Sequence, residues 1–381
     1  MKFSCTQENL IQGLAAVSHI ATKNVNLPIL NNVLIKVEDK SIQLATTNLE
    51  IAVTAQVRGK VDEPGECTLP SRLLADYVGL LTGDRVDFAA DGETATVSSD
   101  ASRTKIKGLP SAEFPLIPKV SRDSSFRVLV GDFRRAVSRV IFAVSPNESR
   151  PEISGVLLRF SPDGPNGTLI FAATDSYRLA EARVALHESG KPVGERSVIV
   201  PARTLAEVQR ILSSLKDGPD SPATVEISLS DSQILFVYDT VEVVSRTIEG
   251  NYPEYRAVIP DKARTFAVLS RDQLVKAVKA AALFSRTGLY DVHFTYEPAE
   301  GTLKLSATDS QVGEQEAVLT PSEIKGDQNT ITLNYRYLLD GLNAIDSAEV
   351  KLQIIDANAP CLITPQTVTA DYLYLVMPIK V

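Results

Sequence analysis

The residues best suited to chemistry form one short run, "TDSYR", at positions 174–178. Asp175 and Arg178 could serve as general base and electrophile in an enzyme that acts on a phosphorylated substrate. The same residue types also end strands, because Thr and Asp side chains bind the backbone amides of a turn. The Thr-Asp pair recurs in "LSATDSQVGE" at 305–314, followed by a different sequence. We therefore predict that Thr174 and Asp175 are scaffold, and the residues after them remain equally open to a binding role.

Little else in the sequence supports catalysis. No dinucleotide-binding, phosphate-binding-loop, zinc-protease or serine-hydrolase motif is present. The histidines and cysteines are few and far apart in sequence: His19, His187, His293, Cys5, Cys67 and Cys361. They form neither a metal-binding pair nor a disulfide framework, which fits a reducing cytoplasm. We predict no catalytic residue, no metal and no cofactor.

Composition bounds the architecture. A chain of 381 residues is too long for one ordinary core and predicts two or three domains. Its 44% hydrophobic and 23% charged residues are typical of a soluble globular protein, and no apolar run approaches the roughly 18–20 residues that span a bilayer. The net charge of −8 argues against a polyanionic partner unless the basic residues share a surface.

An internal repeat organises the whole chain. Aligned on Thr46, Thr174 and Thr308, three segments are spaced by 128 and 134 residues. Each begins with a helix-period stretch, namely "QENLIQGLAAVSHI", "GDFRRAVSRVIFAV" or "RDQLVKAVKAAALF". Strands follow, then a second helix with an arginine at one equivalent position, then further strands and a proline-marked end. The pattern predicts an α+β fold of three similar domains, at 1–121, 122–260 and 261–381.

Charge is distributed unevenly between the elements. The predicted helical segments 7–24, 70–82, 131–145, 201–216, 270–286 and 334–346 together carry a net charge of +6, so the rest of the chain, at −8 overall, carries −14. For any single helix, a solvated charged face is the better explanation. A bias shared by repeated helices favours a common basic surface that contacts phosphates without reading bases.

Several motifs resemble one family across the full chain. "LPILNNVLI", "ATDSYRLA", "VIVPARTL", "EGNYPEYRAVIP" and the terminal "YLYLVMPIKV" are similar to the bacterial sliding clamps, the β subunits of DNA polymerase III. The resemblance implies a non-catalytic processivity factor whose three-domain chains form a head-to-tail homodimeric ring, with helices lining the hole and sheets outside. It also implies cytoplasmic, nucleoid-associated localisation and non-specific binding to double-stranded DNA. The expected protein partners are the replicative polymerase α subunit, the clamp-loader δ subunit, translesion polymerases, mismatch-repair proteins and ligase, with no membrane association.

The resemblance carries over three sets of residues. A peptide-binding pocket would comprise Ile153, Thr174, Ser176, Tyr177, Arg178, Leu179, Pro253, Val258, Asn334, Tyr337, Val376, Met377, Pro378, Ile379 and Lys380. The expected DNA-facing residues are Lys23, Arg72, Arg134, Arg135, Arg139, Arg150, Arg203, Arg210, Lys276, Lys279 and Arg336. The dimer interface would join Leu283 and Phe284 to Arg103 and Ile106 of a second copy.

Alternatives remain for several of these residues. Without the resemblance, the residues Val376–Ile379 favour a plain edge strand that ends at "MP", and one of Leu283 and Phe284 could complete a domain core. The chain also departs from the family at Ser176, Tyr177 and Ala257 and in its tail, "MPIKV", so the resemblance does not set the peptide preference. A phosphoryl-substrate enzyme using Asp175 and Arg178, and a repeat protein that binds only peptides, are the competing functions.

Overall fold

The computed structural model describes residues 1–21, 25–100, 102–122, 125–147, 149–187, 194–215, 221–367 and 371–380. Its elements follow the predicted repeat. The first run is β1 (Lys2–Thr6), α1 (Gln7–Val17), β2 (Asn32–Glu38), β3 (Ser41–Thr47), β4 (Ile51–Val57), β5 (Gly59–Glu63), β6 (Gly65–Pro70), α2 (Ser71–Gly79), β7 (Arg85–Asp91), β8 (Thr94–Ser99) and β9 (Ser102–Lys107). The second is β10 (Ser125–Leu129), α3 (Val130–Val140), β11 (Gly155–Ser161), β12 (Thr168–Thr174), β13 (Arg178–Ala185), β14 (Arg196–Pro201), α4 (Ala202–Ser214), β15 (Thr224–Leu229), β16 (Gln233–Tyr238) and β17 (Val241–Arg246).

The third run completes the chain. It comprises β18 (Thr265–Ser270), α5 (Arg271–Ala282), β19 (Asp291–Glu297), β20 (Thr302–Asp309), β21 (Gly313–Leu319), β22 (Glu323–Gly326), β23 (Asn329–Asn334), α6 (Tyr335–Asn343), β24 (Glu349–Ile354), β25 (Cys361–Pro365) and β26 (Tyr372–Val376). Short 3₁₀ helices occur at Pro28–Asn31, Ser111–Glu113, Ile141–Ala143, Pro151–Ile153 and Tyr255–Val258. Three repeated domains of mixed helix and sheet, predicted from the pattern, are confirmed.

The helices are amphipathic and shorter than the sequence pattern suggests. In the first helix-period stretch, which forms α1, the apolar residues Leu10, Leu14 and Val17 share one face and are buried against β3 and β4. The helix begins where the Thr6 hydroxyl accepts a hydrogen bond from the Asn9 amide, and it ends at Val17. Helical periodicity continues past that point in the sequence, but the structure turns there. None of the helices in the described residues is long and apolar enough to cross a bilayer.

The chain divides into two compact units. Unit 1 comprises Met1–Gly131, Leu186–Lys191 and Arg203–Thr247, and unit 2 comprises Asp132–Ala185, Pro192–Ala202 and Ile248–Val381. Unit 1 holds a five-stranded sheet, β5-β1-β7-β8-β9, and an eight-stranded sheet, β10-β15-β16-β17-β4-β3-β2-β6. Unit 2 holds a nine-stranded sheet, β14-β11-β12-β13-β26-β25-β24-β18-β22, and a four-stranded sheet, β21-β20-β19-β23.

The second repeat is divided between the two units because some of its strands pair with the first repeat and others pair with the third. In unit 1, β17 of the second repeat pairs antiparallel with β4 of the first, with Val244 opposite Ala52. In unit 2, β13 of the second repeat pairs with β26 of the third, with Leu179 opposite Leu375. Consecutive repeats are therefore joined by continuous sheets, and the same kind of strand pair is used at each junction.

Candidate functional site

The turn between β12 and β13 is built by the Thr-Asp pair. The Thr174 hydroxyl donates to the Arg178 carbonyl (2.7 Å) and accepts from the Ser176 amide (3.1 Å). Asp175 Oδ1 accepts the amides of Tyr177 (2.9 Å) and Arg178 (3.0 Å). These bonds satisfy the backbone of a tight turn in which Ser176 has a φ of 78°. The prediction that Thr174 and Asp175 are scaffold is confirmed.

The first repeat builds the same turn one residue later than the sequence alignment placed it. Thr47, not Thr46, donates to the carbonyl four residues on, at Ile51, and Asn48 takes the place of Asp175. Leu49, with a φ of 77°, corresponds to Ser176. The first spacing is therefore 127 residues, and the anchor at Thr46 was wrong by one. Thr46 instead donates its hydroxyl to the Val17 carbonyl.

The Arg178 side chain is fixed by hydrogen bonds and by stacking on an aromatic ring. Its guanidinium donates to Asp175 Oδ2 (2.9 Å), Asp340 Oδ2 (2.6 Å) and the Phe142 carbonyl (2.7 Å). It also stacks on the Tyr337 ring, 4.6 Å from the ring centre. The Asp175 and Arg178 side chains are only 8% and 11% exposed, so both are committed to a structural ion pair. This geometry gives the enzyme alternative no reactive base or free electrophile.

The C-terminal tail closes against this turn. β26 is an interior strand between β13 and β25, so its reading as a plain edge strand was wrong. Beyond it the Met377 amide donates to the Tyr177 carbonyl (2.8 Å), and the Ile379 amide donates to the Thr332 carbonyl (2.9 Å). These bonds leave Met377 and Ile379 half-buried, while Tyr177 is 62% exposed. We call the turn 174–179, Tyr337 and the tail 376–379 the tail pocket.

The remaining predicted pocket residues lie on elements of the same unit. Asn334 caps α6 by accepting the amides of Arg336 and Tyr337. Ile153 is buried at the end of a 3₁₀ helix, and Lys380 is exposed at the end of the tail. Pro253 and Val258 lie on the segment 248–260, which we call the linker. Val258 is exposed, and the Pro253 carbonyl accepts the Tyr255 amide (2.7 Å).

Arg150 belongs beside the tail pocket. It is exposed, so the prediction that it faces DNA stays a prediction, and its guanidinium donates to Ser176 Oγ (3.0 Å) and Glu152 Oε1 (3.1 Å). The bond holds the side chain of Ser176 in its left-handed turn. It also places a positive charge at the rim of the pocket.

Two other predicted DNA-facing arginines are engaged within their own units. In unit 2, Arg139 lies within 3.3 Å of Asp346 and 3.5 Å of Asp371. In unit 1, Arg210 donates to Glu207 and to the carbonyls of Ala15 and Ala16 at the end of α1. Positive charge at a helix C-terminus is favourable, so both residues have structural roles that helix charge counts could not reveal.

The other predicted basic residues are more accessible. Those with exposed side chains are Arg72, Arg135, Arg203, Lys276, Lys279 and Arg336. Arg135 pairs with Asp132 and Arg203 with Glu50, while Arg336 stacks on Tyr290 at 3.6 Å. Arg134 is half-buried, and Lys23 lies outside the described residues.

Two of the predicted dimer residues lie on a strand at the edge of a sheet, and the other two lie just after a helix. Arg103 and Ile106 are on β9, the last strand of the five-stranded sheet, where Arg103 is exposed and Ile106 is buried. In unit 2, β21 is the outer strand of the four-stranded sheet. Leu283, just beyond α5, is 74% exposed and Phe284 is half-buried. Open edges and a large exposed Leu are features that a partner normally covers.

In the part of the chain that the structure describes, the titratable groups offer no metal site. Among the described residues no three His, Cys, Asp or Glu side chains gather as a metal would require. Burial raises the pKa of the Cys5, Cys67 and Cys361 thiols to about 12, which makes them poor nucleophiles and ligands.

Comparisons with known proteins agree along the whole chain. Family models of the DNA polymerase III beta subunit match its N-terminal domain at residues 1–118, its central domain at 128–254 and its C-terminal domain at 256–380. A beta sliding clamp from Synechocystis sp. is 28% identical over 100% of this chain and 99% of its own length. The DNA polymerase III subunit beta of Pseudomonas aeruginosa is 29% identical, with a TM-score of 0.89 over all of both chains. A sliding clamp from that organism bound to griselimycin is 28% identical, with a TM-score of 0.90 and the same coverage.

Proposed function

The chain belongs to the DNA polymerase III beta subunit family, the sliding clamps, and we propose that two copies close into a ring through β21 of one copy and β9 of the other. Family membership makes it a non-catalytic DNA polymerase processivity factor. A closed ring would let the protein stay on DNA without binding it tightly. The observation that carries the proposal is that one strand pairing is used twice within the chain and leaves matching edges open.

The equivalence of the strands is established by their turns. Across the turn before β4, β13 or β21, Thr47 lies opposite Ala52, Thr174 opposite Leu179 and Thr308 opposite Glu314. Glu314 on β21 therefore corresponds to Ala52 and Leu179. Ala52 pairs with Val244 on β17, and Leu179 pairs with Leu375 on β26. On β9 the corresponding residue is Lys105, because β8–β9 and β16–β17 are hairpins with the same two-residue turn.

Continuing the pairing into a second copy fixes a register. Glu314 would lie opposite Lys105 of the other copy, and Glu316 opposite Arg103. All four side chains are exposed, and none forms an ion pair in the part of its own chain that the structure describes. Sequence reasoning named Arg103 but missed the other three, because charged residues on a strand resemble any solvated face. The two edges carry opposite charge, which favours head-to-tail pairing and opposes self-pairing of like edges.

The helix ends support the same closure. His19, Phe142 and Leu283 each lie two residues after the last buried residue of α1, α3 and α5. In unit 1, His19 Nδ1 lies 2.6 Å from Glu207 of α4, and in unit 2, Phe142 packs on Tyr374. Leu283 has the equivalent position but remains exposed.

A second copy offers a suitable partner for Leu283. Helix α2 occupies the place in the first repeat that α4 occupies in the second, and Leu73 on the helix and Leu80 just after it are exposed apolar side chains. In the ring these would cover Leu283, in the way that α4 contacts His19. Burying them would add apolar area to the charged strand pairing.

The ring would hold duplex DNA by enclosure, with exposed basic side chains on the helices contacting phosphates without sequence preference. The tail pocket would receive short peptides from the polymerase, the clamp loader and repair proteins. Aliphatic walls, one flexible Met and a few polar groups suit an extended peptide with apolar anchors. We place this activity in the cytoplasm, on the nucleoid.

Two measurements test the ring. Sedimentation at micromolar concentration should give twice the chain mass, and a persistent monomer would contradict closure. After loading, the protein should remain on nicked circular plasmid and run off the same plasmid once it is linearised. Equal loss from both forms would rule out holding by topology.

A further inference from the structure

Glu181 is a buried carboxylate that neither the ring nor the pocket explains so far. It lies on β13, two residues after Leu179 of the tail pocket, and only 1% of it is exposed. A buried carboxylate is costly unless it is paired and hydrogen-bonded. Here it accepts the Tyr255 hydroxyl at Oε2 (2.5 Å) and the Arg183 guanidinium at Oε1 (2.7 Å).

Tyr255 belongs to the linker and fills the space between it and the sheet. Its ring packs in one cluster with Leu179 and Leu375, and Met377 packs against that cluster. Tyr252 lies edge-on to it at 6.2 Å and donates its hydroxyl to the Ala172 carbonyl (3.2 Å). The linker is therefore attached to β12 and β13 by two tyrosine hydroxyls. Burial, with the neighbouring Glu181 carboxylate, raises the pKa of Tyr255, so this hydroxyl remains a donor.

Unit 1 shows that a junction can form without this pair. Thr54 on β4 corresponds to Glu181 on β13. Thr54 lies opposite Glu242 in the pairing of β4 with β17, and Glu181 lies opposite Leu373 in the equivalent pairing of β13 with β26. No tyrosine covers Thr54 among the residues described there; a cavity of about 360 Å³ lies beside it instead, lined also by Val244 and residues 117–120. Strand pairing alone thus holds a junction together, and the hydrogen-bonded pair in unit 2 serves the linker.

We propose that Glu181 and Tyr255 are positioning residues for the tail pocket: their hydrogen bond fixes the linker so that Pro253 and Val258 form one wall of the peptide site. Pro253 and Val258 lie two residues before and three residues after Tyr255 in the linker, and Val258 is exposed. Releasing the bond would let the linker populate positions in which that wall is absent. The apparent peptide affinity would then fall in proportion to the fraction of chains whose linker keeps the position that forms this wall. The inference rests on the proposed peptide-docking function.

The test compares Tyr255→Phe with wild type in the full-length protein. The chain has two methionines, Met1 and Met377, so ¹³C-methyl methionine labelling gives a pocket signal that is simple to assign. We expect the Met377 signal of ligand-free Tyr255→Phe to shift, and a fluorescein-labelled peptide with Leu and Phe anchors to bind about tenfold more weakly, the effect of one lost hydrogen bond to a charged group. Griselimycin serves as a second probe of the same signal.

Two variants separate positioning from general stability. Glu181→Gln keeps an acceptor for the tyrosine hydroxyl, so affinity should stay within about threefold of wild type. Tyr238→Phe removes a hydroxyl of equal burial in unit 1 and should leave both Met377 and peptide binding unchanged.

If Tyr255→Phe lowers Tm yet binds the peptide like wild type with an unmoved Met377 signal, the inference is wrong. If neither probe perturbs Met377 in wild type, the docking function itself fails. The Met377 signal of ligand-free Tyr255→Phe would still show, independently, whether the bond positions the linker.

Discussion

Reversing the charge of one sheet edge should abolish the homodimer and create a chain that pairs only with a complementary mutant. The first variant carries Glu314→Lys and Glu316→Arg on β21, and the second carries Arg103→Glu and Lys105→Glu on β9. In either variant alone, both junctions of a homodimer would set like charges opposite each other. In an equimolar mixture of the two, a heterodimer has one junction in which both edges are reversed and one in which neither is, so both junctions become attractive again.

The magnitude can be worked out from the number of pairs. Each junction has two opposed pairs and a ring has two junctions, so four pairs change sign. An exposed cross-strand pair contributes about 0.5 kcal/mol, and reversal replaces that attraction with a similar repulsion. The change is then about 4 kcal/mol per dimer, which weakens the dimer roughly a thousandfold. Because the pairs are exposed, the effect should shrink as salt is added.

Sedimentation velocity and native mass spectrometry over a concentration series would measure the result. Asp39→Lys with Asp231→Lys is the matched control for the β21 variant, because it adds the same four positive charges in exposed positions away from β9 and β21. We expect wild type and control to dimerise, each edge variant to be monomeric, and the mixture to form heterodimers. Homodimers of undiminished affinity, or a mixture that fails to associate, would refute the register.

Three further outcomes are expected. Deleting Met377–Val381 removes the tail from the pocket, so fluorescence anisotropy should show no binding of the Leu- and Phe-anchored peptide, while sedimentation still shows a dimer; normal affinity would contradict the pocket assignment. Since burial raises the pKa of all three cysteine thiols to about 12, iodoacetamide should label them only after unfolding, and rapid labelling of the native protein would be inconsistent with this. Partial burial opposes ionisation of Asp291, but hydrogen bonds from Arg286 lower its pKa overall. Its contribution to the free energy of unfolding is therefore present above the unfolded pKa of about 3.9 and is lost as the pH falls through the folded pKa. Asp291→Asn should remove that part of the acid dependence of unfolding, and an unchanged pH profile would argue against it.

The sequence predicted the fold because the signals it carries are local. Leu274 and Val278 of the helix-period stretch "RDQLVKAVKAAALF" are buried, and strands follow the first helix of each repeat in the predicted order. The Thr-Asp turn was predictable because its hydrogen bonds run to amides two and three residues away. The alignment slipped by one where two threonines stand together, since either can be matched by eye and only the hydrogen bonds distinguish them.

Long-range partners were not predictable in the same way. Basic residues on helices look alike in sequence whether they face solvent or, as with Arg139, bind carboxylates far away in the chain. Nothing in the sequence indicates that Glu181 is buried, because a lone Glu in a strand is usually solvated. Its partner is 74 residues away, in a segment without regular pattern.

The two strand pairings within the chain differ in chemistry from the proposed pairing between copies, and we attribute the difference to when each would form. The pairing of β13 with β26 is largely apolar, with Tyr374 and Val376 fully buried. The pairing of β4 with β17 is intermediate and sets Thr54 opposite Glu242. Both exist from the moment the chain folds, so neither edge is ever presented to water.

The proposed third pairing must be different, because its edges are exposed in every free chain and every open ring. An apolar β21 or β9 would invite aggregation, whereas Glu316 and Arg103 keep each edge soluble and repel identical edges. The same exposed pairs are individually weak, so the junction that must open for DNA to enter is the one held by the most reversible contacts. A ring built this way should therefore open between the copies and not within either chain.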